Sequence, residues 1–350
     1  MTGPLARLGA GWRRFWFEPQ ETSTLGLFRI AYGMVATGWT VSLAPNLFAF
    51  FGPNGIEPGR PESNPGEWGV LPAPASPAVI IAFFAVLLAG TIALTLGLFT
   101  RVAAIMVFVG IVSIEHANML VGNSGDGLIR NLAFYLMLAP SGAALSLDRL
   151  RKARDRFWEF PARAPWALRL LQIQLSVGYL SAVWHKVQSA LWREGTAVSY
   201  ALRVEDIHRF HTPGLIAQSV KLTELLTFGT MALELSLAVL VWNRAARPWV
   251  LALGVSMHLA IDYSILIGFF SFAMFVTYLS FILPDTASRY VLAARDRVGR
   301  WRSGQRHHGW RSERRRGWRS GQRHRGWRSG RRSGRPSSPA GAAGSQTPVG

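Results

Sequence analysis

The sequence predicts an all-α, polytopic helical membrane protein of about eight transmembrane helices, with both termini cytoplasmic and a disordered arginine-rich C-terminal tail. Three observations predict this class. Apolar residues make up 49% of the chain and mean hydropathy is +0.19 despite a formal charge of +19, a balance that fits an apolar body carrying a charged appendage. The charge is indeed uneven: residues 285–350 hold 17 arginines against three acids, so +14 of the +19 lies there. Finally, eight apolar runs approach the roughly 20 residues that a hydrocarbon core about 30 Å thick requires.

Taken in order, residues 1–23 form a flank whose Arg7, Arg13 and Arg14 read as cytoplasmic, and the first span is expected to act as an uncleaved signal anchor. The transmembrane body occupies residues 24–284. Its runs lie near 24–44, 77–98, 101–121, 126–143, 166–185, 224–242, 248–265 and 267–284. The first three and the sixth are clear, whereas the fourth and the last pair are short enough for a half-span or re-entrant turn. Orientation follows from the bias of Lys and Arg toward cytoplasmic loops. Arg101, the loop bearing Arg149, Arg151, Lys152, Arg154 and Arg156, the turn with Arg244 and Arg247, and the tail all fall on the side of the N-terminal arginines. The segment FFGPNGIEPGRPESNPGEWG, the 122–125 turn and residues 188–223 fall on the other. There is no cysteine, which excludes disulfides, thiolate metal sites and a cysteine nucleophile.

That topology gives the intramembrane ionisable groups a depth. Glu115 and His116 end the third span, Asp126 and Arg130 begin the fourth, His185 and Lys186 end the fifth, and His258 and Asp262 lie late in the seventh. All fall toward the outer leaflet. Ionisable groups there are costly unless they face a protein interior or a wet cavity, so one shared outer pocket is expected. Two pairs have the one-turn spacing of a helix: Asp126 with Arg130, which can neutralise each other, and His258 with Asp262, where the carboxylate either fixes the imidazole tautomer for proton transfer or satisfies a buried histidine. Arg29 of FRIAYG either contributes to substrate binding or pairs structurally, and Glu234 in the sixth span needs a partner. Neighbouring helical residues diverge by about 100°, so Glu115 and His116 do not ligate jointly, and no recurrent ligand spacing suggests a metal site.

Lys186, in YLSAVWHKVQSALW, offers distinct chemistry. Desolvation disfavours an ammonium, which makes a neutral amine available as a general base. The alternative is a snorkelling anchor helped by Trp184 and Trp192.

The stretch LRLLQIQLSVGYLSAVWHKVQSALWREGTAVSYAL, residues 168–202, resembles the heart of the HTTM family, the membrane domain shared by vitamin K-dependent gamma-carboxylases and bacterial relatives. The likeness extends through FRIAYG, TLGLFTR, GDGLIRNLAF, SLDRL and MHLAIDYSILIGFFSF, covering about residues 24–284. The resemblance implies that Lys186 deprotonates a reduced quinone, vitamin K-like or menaquinone-like, and this carry-over is of one residue. The reading of the intramembrane charges adds His258 and Asp262 as a proton relay and Arg29, His116, Asp126, Arg130 and His185 toward substrate, with no covalently bound cofactor. The carboxylase pattern has a second lysine where His185 stands and a histidine about where Gly125 stands, and it continues into a large lumenal domain where this chain enters its tail. The implied role is therefore that of the lysine rather than glutamate carboxylation. A non-catalytic transporter or assembly factor, with buried charges that only hold helices together, is the other class.

In the tail, WRSGQRHHGWRSERRRG at 301–317 is followed by WRSGQRHRGWRSGRRSG at 318–334, a 17-residue tandem repeat. Such a composition buries no core. Its expected partner beyond the bilayer is anionic lipid. Nucleic acid is disfavoured because no folded reader accompanies the repeat.

Overall fold

The computed structural model describes residues 3–56, 68–72, 74–210 and 213–301. Described residues fall mainly into fifteen α-helices: α1 Pro4–Phe17, α2 Ser23–Leu43, α3 Leu47–Phe51, α4 Pro77–Leu96, α5 Thr100–Ala117, α6 Ser124–Leu138, α7 Leu147–Lys152, α8 Trp166–Gln188, α9 Ala190–Arg193, α10 Ala197–Ala201, α11 Gly214–Ala217, α12 Val220–Val239, α13 Arg247–Ser264, α14 Phe270–Leu279 and α15 Pro284–Trp301. One two-residue antiparallel pair, β1 Gln20–Glu21 with β2 Ala162–Arg163, ties the start of α2 to the approach to α8. Each of the eight apolar runs is helical. Four helical segments are long and apolar enough to cross a membrane, Ser23–Phe51, Pro77–Leu96, Thr100–Ala117 and Val220–Trp242, and a fifth arises if the bent pair Phe270–Leu279 and Pro284–Trp301 counts as one span. The tandem repeat and residues 57–67 lie outside the described residues.

The body forms one unit, Met1–Ala293, whose buried side chains make two apolar clusters. In the first, Phe28, Tyr32 and Ala36 of α2 pack with Leu94 of α4, Ile111 of α5 and Leu132 of α6. In the second, Leu175 and Tyr179 of α8 pack with Leu237 of α12, Val250 of α13 and Met274 and Tyr278 of α14. Helix α14 contributes to both clusters, through Ala273 and Val276 on one side and Met274 and Tyr278 on the other. Helix α4 shows how local sequence sets an element. It has no charged residue, begins with Pro77 after Ser76, and stops at Gly97, whose φ of 69° closes the helix through its N–H to Leu94 O.

Three of the short motifs meet just beyond that stop. Arg29 of FRIAYG is fully buried and donates from Nη1 to Ser141 O (3.3 Å) and from Nη2 to Leu145 O (2.6 Å). A side chain on Gly97 would strike the Arg29 guanidinium and Ser146. From SLDRL, Asp148 accepts from the N–H groups of Phe99 (2.9 Å) and Thr100 (2.8 Å) and from Thr100 Oγ1 (2.7 Å) in TLGLFTR. Among the described residues, the two non-glycine positions with left-handed backbone, Phe99 and Leu145, both belong to this junction, where tertiary bonds hold a conformation that their side chains disfavour. Partial burial alone would raise the Asp148 carboxyl, but the hydrogen bonds from Thr100 and Phe99, with Lys152 nearby, outweigh it and hold the group below its ordinary value.

The arginine-bearing segments gather at this end of the bundle. Arg169 donates to Phe15 O (3.2 Å) and stacks on the Phe15 ring, Phe15 packs on Trp242, and Arg247 donates to Val241 O (2.8 Å) and Phe281 O (3.3 Å).

Candidate functional site

Helices α8 and α12 run antiparallel, and Ser176 Oγ, donating to Ala238 O at 2.8 Å, sets their register. By that register Glu234 lies level with about residue 180, six residues or roughly 9 Å below Lys186 along α8. Helical side chains lean toward the N-terminus of their own helix, so Lys186 leans down and Glu234 leans up. They meet: Lys186 Nζ pairs with Glu234 Oε1, with side-chain exposures of only 19% and 9%. The ammonium also sits 4.8 Å from the centre of the Trp192 ring. A snorkelling lysine would turn outward; this one is held inside the bundle.

The pair lines a cavity of about 1280 Å³ bounded by α6, α8, α10, α12, α13 and α14. Its walls are mostly apolar, with Leu128, Leu175, Leu225, Leu233 and Met274 among them. Ligand pockets for small molecules typically hold about 300–1,000 Å³, so this one suits a molecule with a long apolar tail. Polar residues interrupt the apolar wall, Asn131, Gln174 and Thr230 among them. Arg130 and His185 line it, and on the α13 side His258, 2% exposed, receives or gives a hydrogen bond at 2.9 Å through Nε2 to Tyr179 Oη. Tyr179 Oη is in turn bonded to Tyr278 Oη. At the end of the cavity away from the Arg29 junction, the backbone of residues 207–209 bonds to that of 264–266, as in Leu266 N to Ile207 O at 2.7 Å, and Arg209 pairs with Asp262 at 3.2 Å.

The expected single pocket is thus half assembled. Lys186, His258, Arg130 and His185 share the cavity. Arg29 sits among the α4–α5 and α6–α7 connections, capping carbonyls. His116 bonds through Nδ1 to Trp68 O at 2.5 Å and Asp126 makes a capping box with Asn123 while accepting from Trp39 Nε1 at 2.6 Å. Neither one-turn pair forms. Arg130 turns to Glu115 at 2.5 Å, because Asp126 is occupied by its own helix N-terminus. Asp262 pairs with Arg209, and His258, one turn away and inside the cavity wall, bonds to Tyr179. Helical spacing made these contacts available; partners on other helices took them. Glu234 announced itself by its cost in a span, whereas Tyr179 and Tyr278 carried no signal, since a tyrosine in an apolar helix reads as packing.

The arrangement can hold an amphiphile and move a proton. A lysine and a carboxylate in apolar surroundings exchange between an ion pair and a neutral amine with a carboxylic acid, so the pair can take or give a proton. At residue 125 a side chain would meet the backbone of Phe270 at 2.9 Å, so the site has no room there for the histidine of the carboxylase pattern.

The HTTM domain model matches residues 17–285. The chain belongs to the HTTM domain family. Within this HTTM protein the matched region contains every helix that bounds the cavity as well as the Arg29–Gly97–Asp148 junction. No curated protein and no solved structure matched the chain.

Proposed function

We propose that this HTTM protein is a membrane enzyme that removes a proton from a reduced, lipid-tailed quinone of the vitamin K or menaquinone kind, with Lys186 in the proton-accepting unit. The observation that carries this reading is the Lys186–Glu234 pair held inside a largely apolar, lipid-sized cavity. The quinol is the substrate: deprotonation at a phenolic oxygen gives the quinol anion, which passes two electrons to molecular oxygen as it becomes quinone, with the oxygen reduced to hydrogen peroxide after taking up protons. Apolar walls fit the tail, and the charged and titratable groups beside the pair, His258 and Arg130, fit the head. Glu234 Oε1, bonded to Lys186 Nζ, can take the lysine's proton, and the neutral amine then accepts the proton of the quinol. The resemblance of residues 168–202 to carboxylase membrane domains supports the lysine's role, and the crowding at Gly125 speaks against extending it to glutamate carboxylation.

The proposal places the chain in the cell membrane with its described N-terminal flank on the cytoplasmic side, the side of the gathered arginines. The test is turnover. Protein reconstituted with a reduced menaquinone-type quinol and oxygen should consume quinol and yield quinone or its epoxide, and Lys186→Arg, which cannot accept a proton, should not. Equal, background-level quinol loss in wild type and variant would overturn the enzymatic reading in favour of a non-catalytic membrane protein.

A further inference from the structure

Helix α1 lies ahead of the family match, which begins at residue 17, and contributes nothing to the cavity wall. Its sequence, PLARLGAGWRRFWF, separates two chemistries around one axis. At about 100° per residue, Leu5, Leu8, Trp12, Phe15 and Trp16 fall within an arc of about 100°, while Arg7, Arg13 and Arg14 leave from the other side. The helix contains no acid, and Glu18 just beyond it pairs with Arg14 at 3.6 Å.

The two ends of the apolar face meet different surroundings. At the C-terminal end Phe15 and Trp16 are half-buried: the Phe15 ring packs on Trp242 and lies under the Arg169 guanidinium, and its carbonyl accepts from Arg169 Nε. Toward the N-terminus the same face runs on uncovered, with Leu5 84%, Leu8 70% and Trp12 64% exposed. One end of α1 is therefore pinned to the first turn of α8 and to the segment that follows α12, and the rest of its apolar face has no protein cover among the described residues.

Place, length and charge together decide what covers it. Five residues separate α1 from α2, where the first span opens, so the chain keeps the end of α1 within roughly 20 Å of the start of that span. Fourteen residues make a helix about 21 Å long, too short to cross a hydrocarbon core about 30 Å thick, and three arginines would have to cross with it. A helix with a tryptophan-bearing apolar face backed by arginines fits the plane of the interface instead, where the apolar side sinks in and guanidinium groups reach lipid phosphates. A second copy of the chain would match the apolar face but bring its own arginines to the contact; an anionic leaflet satisfies both sides of the helix.

We propose that α1 is an in-plane docking helix for an anionic lipid leaflet, with Leu5, Leu8 and Trp12 entering the acyl boundary and Arg7, Arg13 and Arg14 holding lipid phosphates. Through the Phe15–Arg169 contact the docked helix ties that leaflet to α8, the helix that carries Lys186. The inference stands apart from the quinol reading.

A chain without cysteine makes the test direct. Nitroxide labels are attached to the full-length protein through Leu8→Cys or, on the arginine side, Ala10→Cys, in nanodiscs of phosphatidylcholine mixed with phosphatidylglycerol. Collisions with oxygen, which concentrates among acyl chains, are compared with collisions with a water-soluble nickel chelate. The label on residue 8 should favour oxygen at a depth of roughly 5–10 Å, and the label on residue 10 should favour nickel. In phosphatidylcholine alone, or with Arg7→Gln, Arg13→Gln and Arg14→Gln combined, the label on residue 8 should shift toward nickel. Leu5→Cys repeats the measurement if the label on residue 8 disturbs the helix. Equal nickel access on both sides of α1 overturns the docking, and shielding of residue 8 from both reagents overturns it in favour of a second copy. A depth that ignores the loss of both anionic lipid and arginines overturns the assignment of an anionic leaflet.

Discussion

Lys186→Ala and Lys186→Arg ask different questions of the buried pair. Alanine leaves the Glu234 carboxylate buried beside apolar wall, and breaking a buried pair from one side costs about 3–5 kcal/mol. Replacing both partners with apolar residues removes that penalty, so Lys186→Met combined with Glu234→Leu should melt at a higher temperature than Lys186→Ala; a double variant no more stable than the single one would mean that Glu234 is not held by the lysine. Both should lack turnover. Arginine keeps the charge and the pairing but not the ability to lose a proton, so Lys186→Arg should stay folded by thermal melt while quinol turnover falls by about 10²-fold or more. His185 lines the cavity but takes no part in the Lys186–Glu234 pair, and His185→Gln should reduce turnover far less than Lys186→Arg.

At the scale of elements, the junction of α2, α4, α5 and α7 explains why three short motifs spread over more than a hundred residues belong together. Arg29 caps two carbonyls of the 141–145 turn, Gly97 makes room for the guanidinium, and Asp148 closes the α4–α5 turn. Arg29→Met leaves both carbonyls unpaired, each at about 1–3 kcal/mol, and should lower the melting temperature without altering quinol affinity, because Arg29 does not line the cavity. Altered affinity in folded Arg29→Met would return this residue to the substrate site. The Asp148 clamp also has a pH signature. Its folded pKa lies below the unfolded value of about 3.9, so its stabilisation is fully present above that pH and is lost as pH falls through the folded pKa. The melting difference between wild type and Asp148→Asn should hold steady above about pH 5 and narrow below about pH 4. A difference that widens on acidification would reverse the sign of the linkage.

For the whole molecule, the two clusters divide the labour. The cluster built on α2, α4, α5 and α6 is a packed frame, while α8, α12 and α13, joined to it through α14, enclose the cavity. If the arginine-bearing end faces the cytoplasm, a reporter inserted within residues 57–67 should be external and one fused after residue 284 cytoplasmic; the opposite labelling would invert the topology and place the strap of residues 207–209 over the cavity on the inner side. Truncation after residue 298 should leave membrane insertion and melting of the body unchanged while weakening binding to anionic vesicles, more so at low salt than at high. Loss of the folded body on truncation would contradict the division at residue 293.

The sequence by itself determined the class and the elements. Each of the eight apolar runs became a helix, and the four spans whose composition was clearest, starting near 24, 77, 101 and 224, are the four long and apolar enough to cross a membrane, because hydropathy and length are local quantities that one stretch of chain carries whole. Lys186 was legible for the same reason, as a charge where charge is expensive. Its partner was not. Which of Glu234, Asp126 or Asp262 would meet Lys186, Arg130 or His258 depended on the register of α8 against α12, on Asp126 capping its own helix, and on Arg209 arriving from the segment after α10 to take Asp262. Those are contacts between residues far apart in the chain, and helical spacing offers each charge several neighbours without ranking them. Only packing chose among them, and the same packing buried Glu234 Oε2 and His258 Nδ1 without hydrogen-bond partners.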